Sequence, residues 1–463
     1  MKTITALARQ YKDAVSHNTV RLCTKWQLRI RGALWRVIAI AVVLFVAPYV
    51  WGVSGTNEGA FLTERAATAY ALQDNPGLAA MQLRYEALLD VPSQVGALPD
   101  PMINLNAMNF PTDTFDRDQE PMTQLQIGFS QIFPFPGKLS LKEDAASFDA
   151  VAAGYSVDEM RVQLGKSVRT KWWQIYYLDR ASDTLTKNKN LLRQFISVAS
   201  TKYETGKGLQ QDILLAQLEL SKLMDRDIQL VALRRHQVIQ LNTLMGRPAS
   251  DHISLTNNVP LKMANILSEV DLYEIAESIR PTIKERETRV DAARSRLDLA
   301  KKDQYPDFML GVTYGDRTGD NPLFQGGSRA DFLSVMVGVK VPLYSGRKQS
   351  KAISQKTSEL ARSRYALIDE RGLVRAAISA AITDYRKSQE QFELYGAGII
   401  PQARQTVQSM LAAYQVSEVD FLNLVRSQMT LFNYELQYWK ALSEAKQALA
   451  RLEAAVGKES IYE

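Results

Sequence analysis

Launched by Pro134, Pro136 and Gly137, one helical run extends from Lys138 to Tyr203, 66 residues in all. At 1.5 Å per residue it would reach roughly 100 Å. A compact domain cannot use such a helix, whereas a coiled coil, a rod or a tube can. The second half of the chain starts a comparable run after Pro342 and Gly346 and carries it to Tyr414. Whatever the chain folds into must be long.

The two runs belong to two copies of one unit. "LPDPMINLNAMN" from Leu98 answers "YPDFMLGVTYG" from Tyr305, an offset of 207; Gly137 answers Gly346 at 209; and "YETGKGLQQDILLAQLEL" lies over "YQVSEVDFLNLVRSQMTL" with Tyr203 on Tyr414 at 211. The offset drifts while the order of elements holds, which is the mark of an internal duplication. Each copy reads as a helix of about thirty residues ending at proline, two strands, and a very long helix that breaks at a tip and continues. The expected division is a leader over 1–55, a first copy over 56–251, a linker over 252–265 and a second copy over 266–463.

Strands are expected near 102–110, 122–133, 307–316 and 331–342. In each, aliphatic residues alternate with polar or small ones. Leu125, Ile127 and Phe129 oppose Gln124, Gln126 and Gly128, and Phe308, Leu310, Val312 and Tyr314 oppose Met309, Gly311 and Thr313. A soluble antiparallel sheet shows that alternation; so does a membrane barrel with a watery lumen and a lipid-facing wall. About ten residues is the length a tilted membrane strand requires. Four strands are too few to close a barrel, and open edges do not occur in hydrocarbon. Several chains would have to pool them.

On the helix after Asp212, Met224, Val231, Val238 and Met245 recur every seven residues, with Leu223, Leu230 and Leu244 one position over. Heptad spacing calls for a left-handed supercoil. The broad stripe lets a helix touch neighbours on both flanks, as in a tube; a two-stranded coil is the alternative, since Asp227, Arg234 and Arg235 interrupt it.

Composition adds a compartment. Residues 1–54 hold eight basic residues against one acid, a local +7, so the rest of the chain sums to −1 out of the total of +6. The basic balance is the leader's and gives no nucleic-acid footprint. "VIAIAVVLFVAPYVWGVSG" after Arg36 has the layout of a secretory signal; a retained anchor also fits. The one cysteine, Cys23, precedes that run, so the mature chain would have no thiol for disulfides or metal.

The duplicated halves, "PFPGK", "YETGKGLQQDILLAQLEL" and "VPLYSGRKQ" resemble the outer-membrane factors, the TolC-like efflux proteins, over about 60–457. "FPFPGKLSLKEDA" is most similar to the branch associated with heavy-metal efflux. The resemblance implies a mainly α fold with membrane β: a long-helix periplasmic α-barrel and an outer-membrane β-barrel closed by trimerisation. It further implies a passive duct for small solutes, heavy-metal cations in this branch, lodged in outer-membrane lipid. The partners implied are a periplasmic adaptor and an inner-membrane pump of the resistance-nodulation-division type. A duct for secreted polypeptides and a periplasmic coiled-coil scaffold with an uncleaved anchor are the alternatives.

The resemblance also places an adaptor-facing motif on the helix-turn-helix tips: Thr205, Gly206, Gly208, Leu209 and Asp212, with Ser417, Val419, Asp420, Leu422 and Asn423. Gly206 and Gly208 would also serve the turn, and Asp212 would cap the next helix. Asp212, Glu418 and Asp420 are candidates for a cation-favouring ring at the periplasmic mouth. No enzyme is expected: the three histidines (His17, His236, His252) lack ligand spacing, and there is no phosphate loop or nucleophile elbow. No cofactor is expected either.

Overall fold

The computed structural model describes residues 61–463 except 258, 322, 325, 459, 460 and 463. The leader expected over 1–55 lies outside the described residues. The first half runs α1 (Glu64–Asp74), α2 (Pro76–Leu89), α3 (Val91–Gly96), β1 (Met102–Met108), β2 (Gln124–Phe133), α4 (Lys138–Glu204) and α5 (Gln210–Leu244). The second half repeats the order as α6 (Glu269–Ile279), α7 (Pro281–Lys302), β3 (Asp307–Asp316), β4 (Phe332–Lys340), α8 (Gln349–Glu393), a π-helical turn (Leu394–Ile399), α9 (Ile400–Gln415) and α10 (Phe421–Val456).

Two expectations about helices are corrected. The helices that lead into the sheet are not single: Pro76, Pro92 and Pro281 each open a new one at its first or second position. Proline fits there because that position needs no N–H, and it blocks continuation from the helix before. The run to Tyr414 is likewise broken. Pro401 cannot donate to the carbonyl four residues back, and the π turn just before it, with Gly396 and Gly398, absorbs the defect. The matching stretch of α4, at 183–188, is unbroken α-helix.

The four strands form one antiparallel sheet in the order β1-β2-β3-β4. Its register sets whole rows of side chains on one face: Ile103, Phe129, Val312 and Val335 stand abreast, and so do Leu105, Ile127, Tyr314 and Leu333. All eight are exposed. The opposite face carries rows such as Asn104, Gly128, Thr313 and Ser334. Among the described residues β1 and β4 each have one edge without a partner strand.

Helices continue the strands. α3 leads to β1, β2 to α4, α7 to β3 and β4 to α8, and the packed neighbours below the sheet are α2 with α4, α4 with α7 and α7 with α8. Strand order and helix order therefore coincide, and sheet and helices make one wall. Further along, α5, α4, α10 and α8–α9 pack side by side.

The wall is pinned where strands become helices. Lys138, 5% exposed, donates from Nζ to Asp307 Oδ1 at 2.8 Å and to the Tyr305 carbonyl at 3.0 Å. The Phe135 N–H donates to the same carboxylate at 3.0 Å, and the Phe135 ring stacks on Tyr305 with centroids 4.6 Å apart. At mid-height a core of Trp172, Trp173, Tyr176, Val238 and Leu442 is closed by the Trp172 indole N–H on the Leu62 carbonyl at 3.1 Å. The heptad stripes of α5 diverge. Leu223, Leu230, Val238 and Met245 are buried, while Met224 and Val231 stay exposed on a flank no other described element covers.

Candidate functional site: the paired helical tips

At the end of the wall far from the sheet, α4 turns into α5 and α9 into α10. Both turns are built alike. The Gly206 N–H donates to the Tyr203 carbonyl at 2.9 Å and the Lys207 N–H to the Lys202 carbonyl at 2.8 Å. Ser417 and Glu418 repeat the pair on Tyr414 and Ala413 at 3.1 and 3.0 Å. This is the left-handed helix stop in which a residue with positive φ closes the last turn. Gly206 takes it at φ 71° and Ser417, the residue at the same place 211 positions on, at φ 67°. Glycine adopts that backbone freely and serine does so at a cost.

The next helix starts at matched positions as well. Leu209 and Asp420 are the N-cap residues of α5 and α10, and neither side chain makes a capping bond. The expectation that Asp212 caps the helix is thus corrected: it sits in the first turn, three residues after the N-cap Leu209, whose carbonyl takes the Asp212 N–H at 3.1 Å. A carboxylate there is favoured by the positive end of the helix. In structural register Asp212 answers Asn423, not Asp420.

The two tips touch within one chain. Lys202, from the first tip, reaches the second: its Nζ bonds the Tyr414 carbonyl, donates to Ser417 Oγ at 2.9 Å and lies 4.3 Å from the centre of the Tyr414 ring. The Tyr414 hydroxyl donates back to Asp212 Oδ2 at 3.4 Å. Beneath it the Tyr414 and Phe421 rings pack with centroids 5.1 Å apart, over Ala216 and Leu424. Burial pushes the Tyr414 hydroxyl up to about 12, and the Asp212 charge adds to it. Burial likewise holds the Asp212 carboxyl above its ordinary 3.8, with the nearby Asp420 charge acting in the same direction.

Of the residues singled out from sequence, Thr205, Gly206, Leu209, Ser417, Glu418, Asp420, Leu422 and Asn423 are exposed, and Gly208, Asp212 and Val419 are half-buried. The structure brings Asp212 and Asp420 near each other. Sequence reasoning missed Lys202, Tyr414 and Phe421 as the residues that join the tips. Tyr414 and Tyr203 look equivalent in the duplication, yet Tyr414 is 4% exposed and Tyr203 48%. Among the described residues no group of three or more His, Cys, Asp or Glu is placed to hold a metal ion. No described helix is long and apolar enough to cross a membrane.

Known proteins share this wall. The outer membrane efflux protein family matches residues 69–247 and 272–458, more than half of the chain. The chain belongs to that family. It is accordingly an outer-membrane protein and not an enzyme. Among solved members of this outer-membrane efflux fold, the VceC protein of Vibrio cholerae superposes with a TM-score of 0.71 over 86% of this chain and 97% of its own, at 17% identity. CusC does so with 0.72 over 85% and 92%, at 14% identity. The alkaline protease secretion protein AprF of Pseudomonas aeruginosa is 24% identical over 268 residues, 56% of this chain and 53% of AprF. The chain thus spans about half the length of that curated relative.

Proposed function

We propose that this outer-membrane efflux protein is the exit duct of a tripartite efflux system, working as a homotrimer with a periplasmic adaptor and an inner-membrane pump. The observation that carries this reading is the sheet: an exposed apolar face, a polar face behind it and two unpaired edges. Hydrocarbon tolerates no free strand edge, so β4 of one copy pairs with β1 of the next until the cylinder shuts. The exposed flank of α5, with Met224 and Val231, meets a neighbouring copy below.

In this reading the tips face the adaptor. Thr205, Gly206, Gly208 and Leu209, with Ser417, Val419, Leu422 and Asn423, offer short, uncharged surface for docking, and Asp212, Glu418 and Asp420 ring the mouth once per copy. The mass of the detergent-extracted protein tests the assembly. A trimer that survives SDS until boiled is expected, and a stable monomer overturns the reading.

For cargo, we propose metal cations passed on by a resistance-nodulation-division pump, on the strength of the "FPFPGKLSLKEDA" stretch. Secreted polypeptide is the second reading, favoured by the similarity to AprF, whose name assigns it to protease secretion. Growth of a deletion strain on metal salts, set against its secreted proteins, separates the two.

A further inference from the structure

The wall curves around a recess below the sheet. A cavity of about 550 Å³ is lined by Arg84 of α2, Asp149 of α4, Arg289 and Arg296 of α7, and Glu359 and Arg362 of α8. These four helices stand in a row in that order, and a recess that all four touch can lie only on the side towards which the row bends. In a closed duct that side is the lumen. Four guanidiniums face two carboxylates there, and the carboxylates are already engaged. Asp149 pairs with Arg296, while Glu359 accepts from Lys356 Nζ at 2.7 Å and from Gln355 Nε2 at 2.8 Å. Arg289 pairs with Glu285. Arg84 and Arg362, on opposite sides of the recess, have no ion-pair or hydrogen-bond partner among the described residues.

We infer that this recess is an oxyanion-binding band in the duct, at which a phosphate, sulfate or carboxylate group is drawn to the unpaired guanidiniums of Arg84 and Arg362. The planar fork of each guanidinium matches two oxygens of such a group. A concave wall of low dielectric concentrates the field of the surplus charge, and rings of arginine favour anions in pores. The inference rests on the duct reading but not on the cargo. It bears on cargo all the same: a bare cation crosses the band against its potential, whereas an acidic peptide or an anionic complex is drawn to it.

The test uses the purified full-length protein with inorganic tripolyphosphate as probe, in calorimetry and in planar bilayers under a salt gradient. Wild type should bind the probe and be blocked by it. Arg84→Gln with Arg362→Gln, both exposed positions, should weaken binding and block about tenfold or more and move the reversal potential towards cation preference. Arg84→Lys with Arg362→Lys should keep the reversal potential and lose part of the block. Equal binding by wild type and the glutamine pair overturns the inference. A wild type that binds the probe but conducts nothing overturns the duct reading and leaves the site standing.

Discussion

The Tyr414 hydroxyl of the second tip lies 3.4 Å from the Asp212 carboxylate of the first, with the Lys202 ammonium 4.3 Å from the same ring's centre. One aromatic side chain is thereby held from both sides by residues more than two hundred positions away. Each tip stays closed on its sister through contacts inside a single chain. Lys202→Met removes the cation and both of its hydrogen bonds. A charge-assisted contact of this kind contributes about 1.5 kcal/mol, so amide exchange at 413–418 should quicken roughly tenfold. Unchanged exchange would show that the Tyr414–Phe421 packing holds the tips without it.

Acidity should tighten the same contact. Asp212 titrates above its ordinary 3.8, chiefly because it is buried. The stability linked to a raised carboxyl is fully present below 3.8 and is lost as pH rises through the raised value. Asp212→Asn, neutral throughout, should therefore match wild type in strong acid and protect the tip amides better at neutral pH. A wild type that protects its tips better than Asp212→Asn at pH 7 would refute this.

Exchanging the two left-handed residues gives unequal results. Gly206→Ser should cost about 1 kcal/mol through backbone strain alone. Ser417→Gly relieves the same strain but gives up the hydroxyl that accepts a hydrogen bond from Lys202 Nζ at 2.9 Å, so its net effect should be smaller than half of that. Chemical denaturation of the two variants, followed by a probe at the tips, measures both.

At the other end of α4, Lys138→Met leaves the Asp307 carboxylate without its cation in a junction where the lysine is 5% exposed. Breaking such a pair by removing one partner costs about 3 kcal/mol. The melting temperature of the detergent-solubilised protein should fall by several degrees, and Lys138→Arg should recover most of the loss.

The strands were the most legible part of the sequence. A period of two sustained over Asp307–Asp316 is a local signal, and the strand begins and ends where the pattern does. The extent of α4 was equally plain. The π turn was not, because Gly396, Gly398 and Pro401 are each tolerated in helices and nothing local marks the close approach of Tyr438 to Gly396, where a Cβ would stand 3.0 Å from that ring. The tip turns were located to within a residue, since the helices end at Glu204 and Gln415 rather than Tyr203 and Tyr414, but what joins them was not. Lys202 and Tyr414 meet only because four helices are already in place, and local patterning holds no trace of that meeting. Nothing in the sequence singles out Arg84 and Arg362, for the same reason: α2 and α8 come to line one recess only in the folded wall.

In the proposed duct, because strand order and helix order coincide, membrane cylinder and water-filled stem would have to agree on how many staves they contain. Adding or removing one copy changes both circumferences together. A seam left open in the lipid would also be a slit along the stem, so such a vessel would be watertight over its whole height or at no level of it.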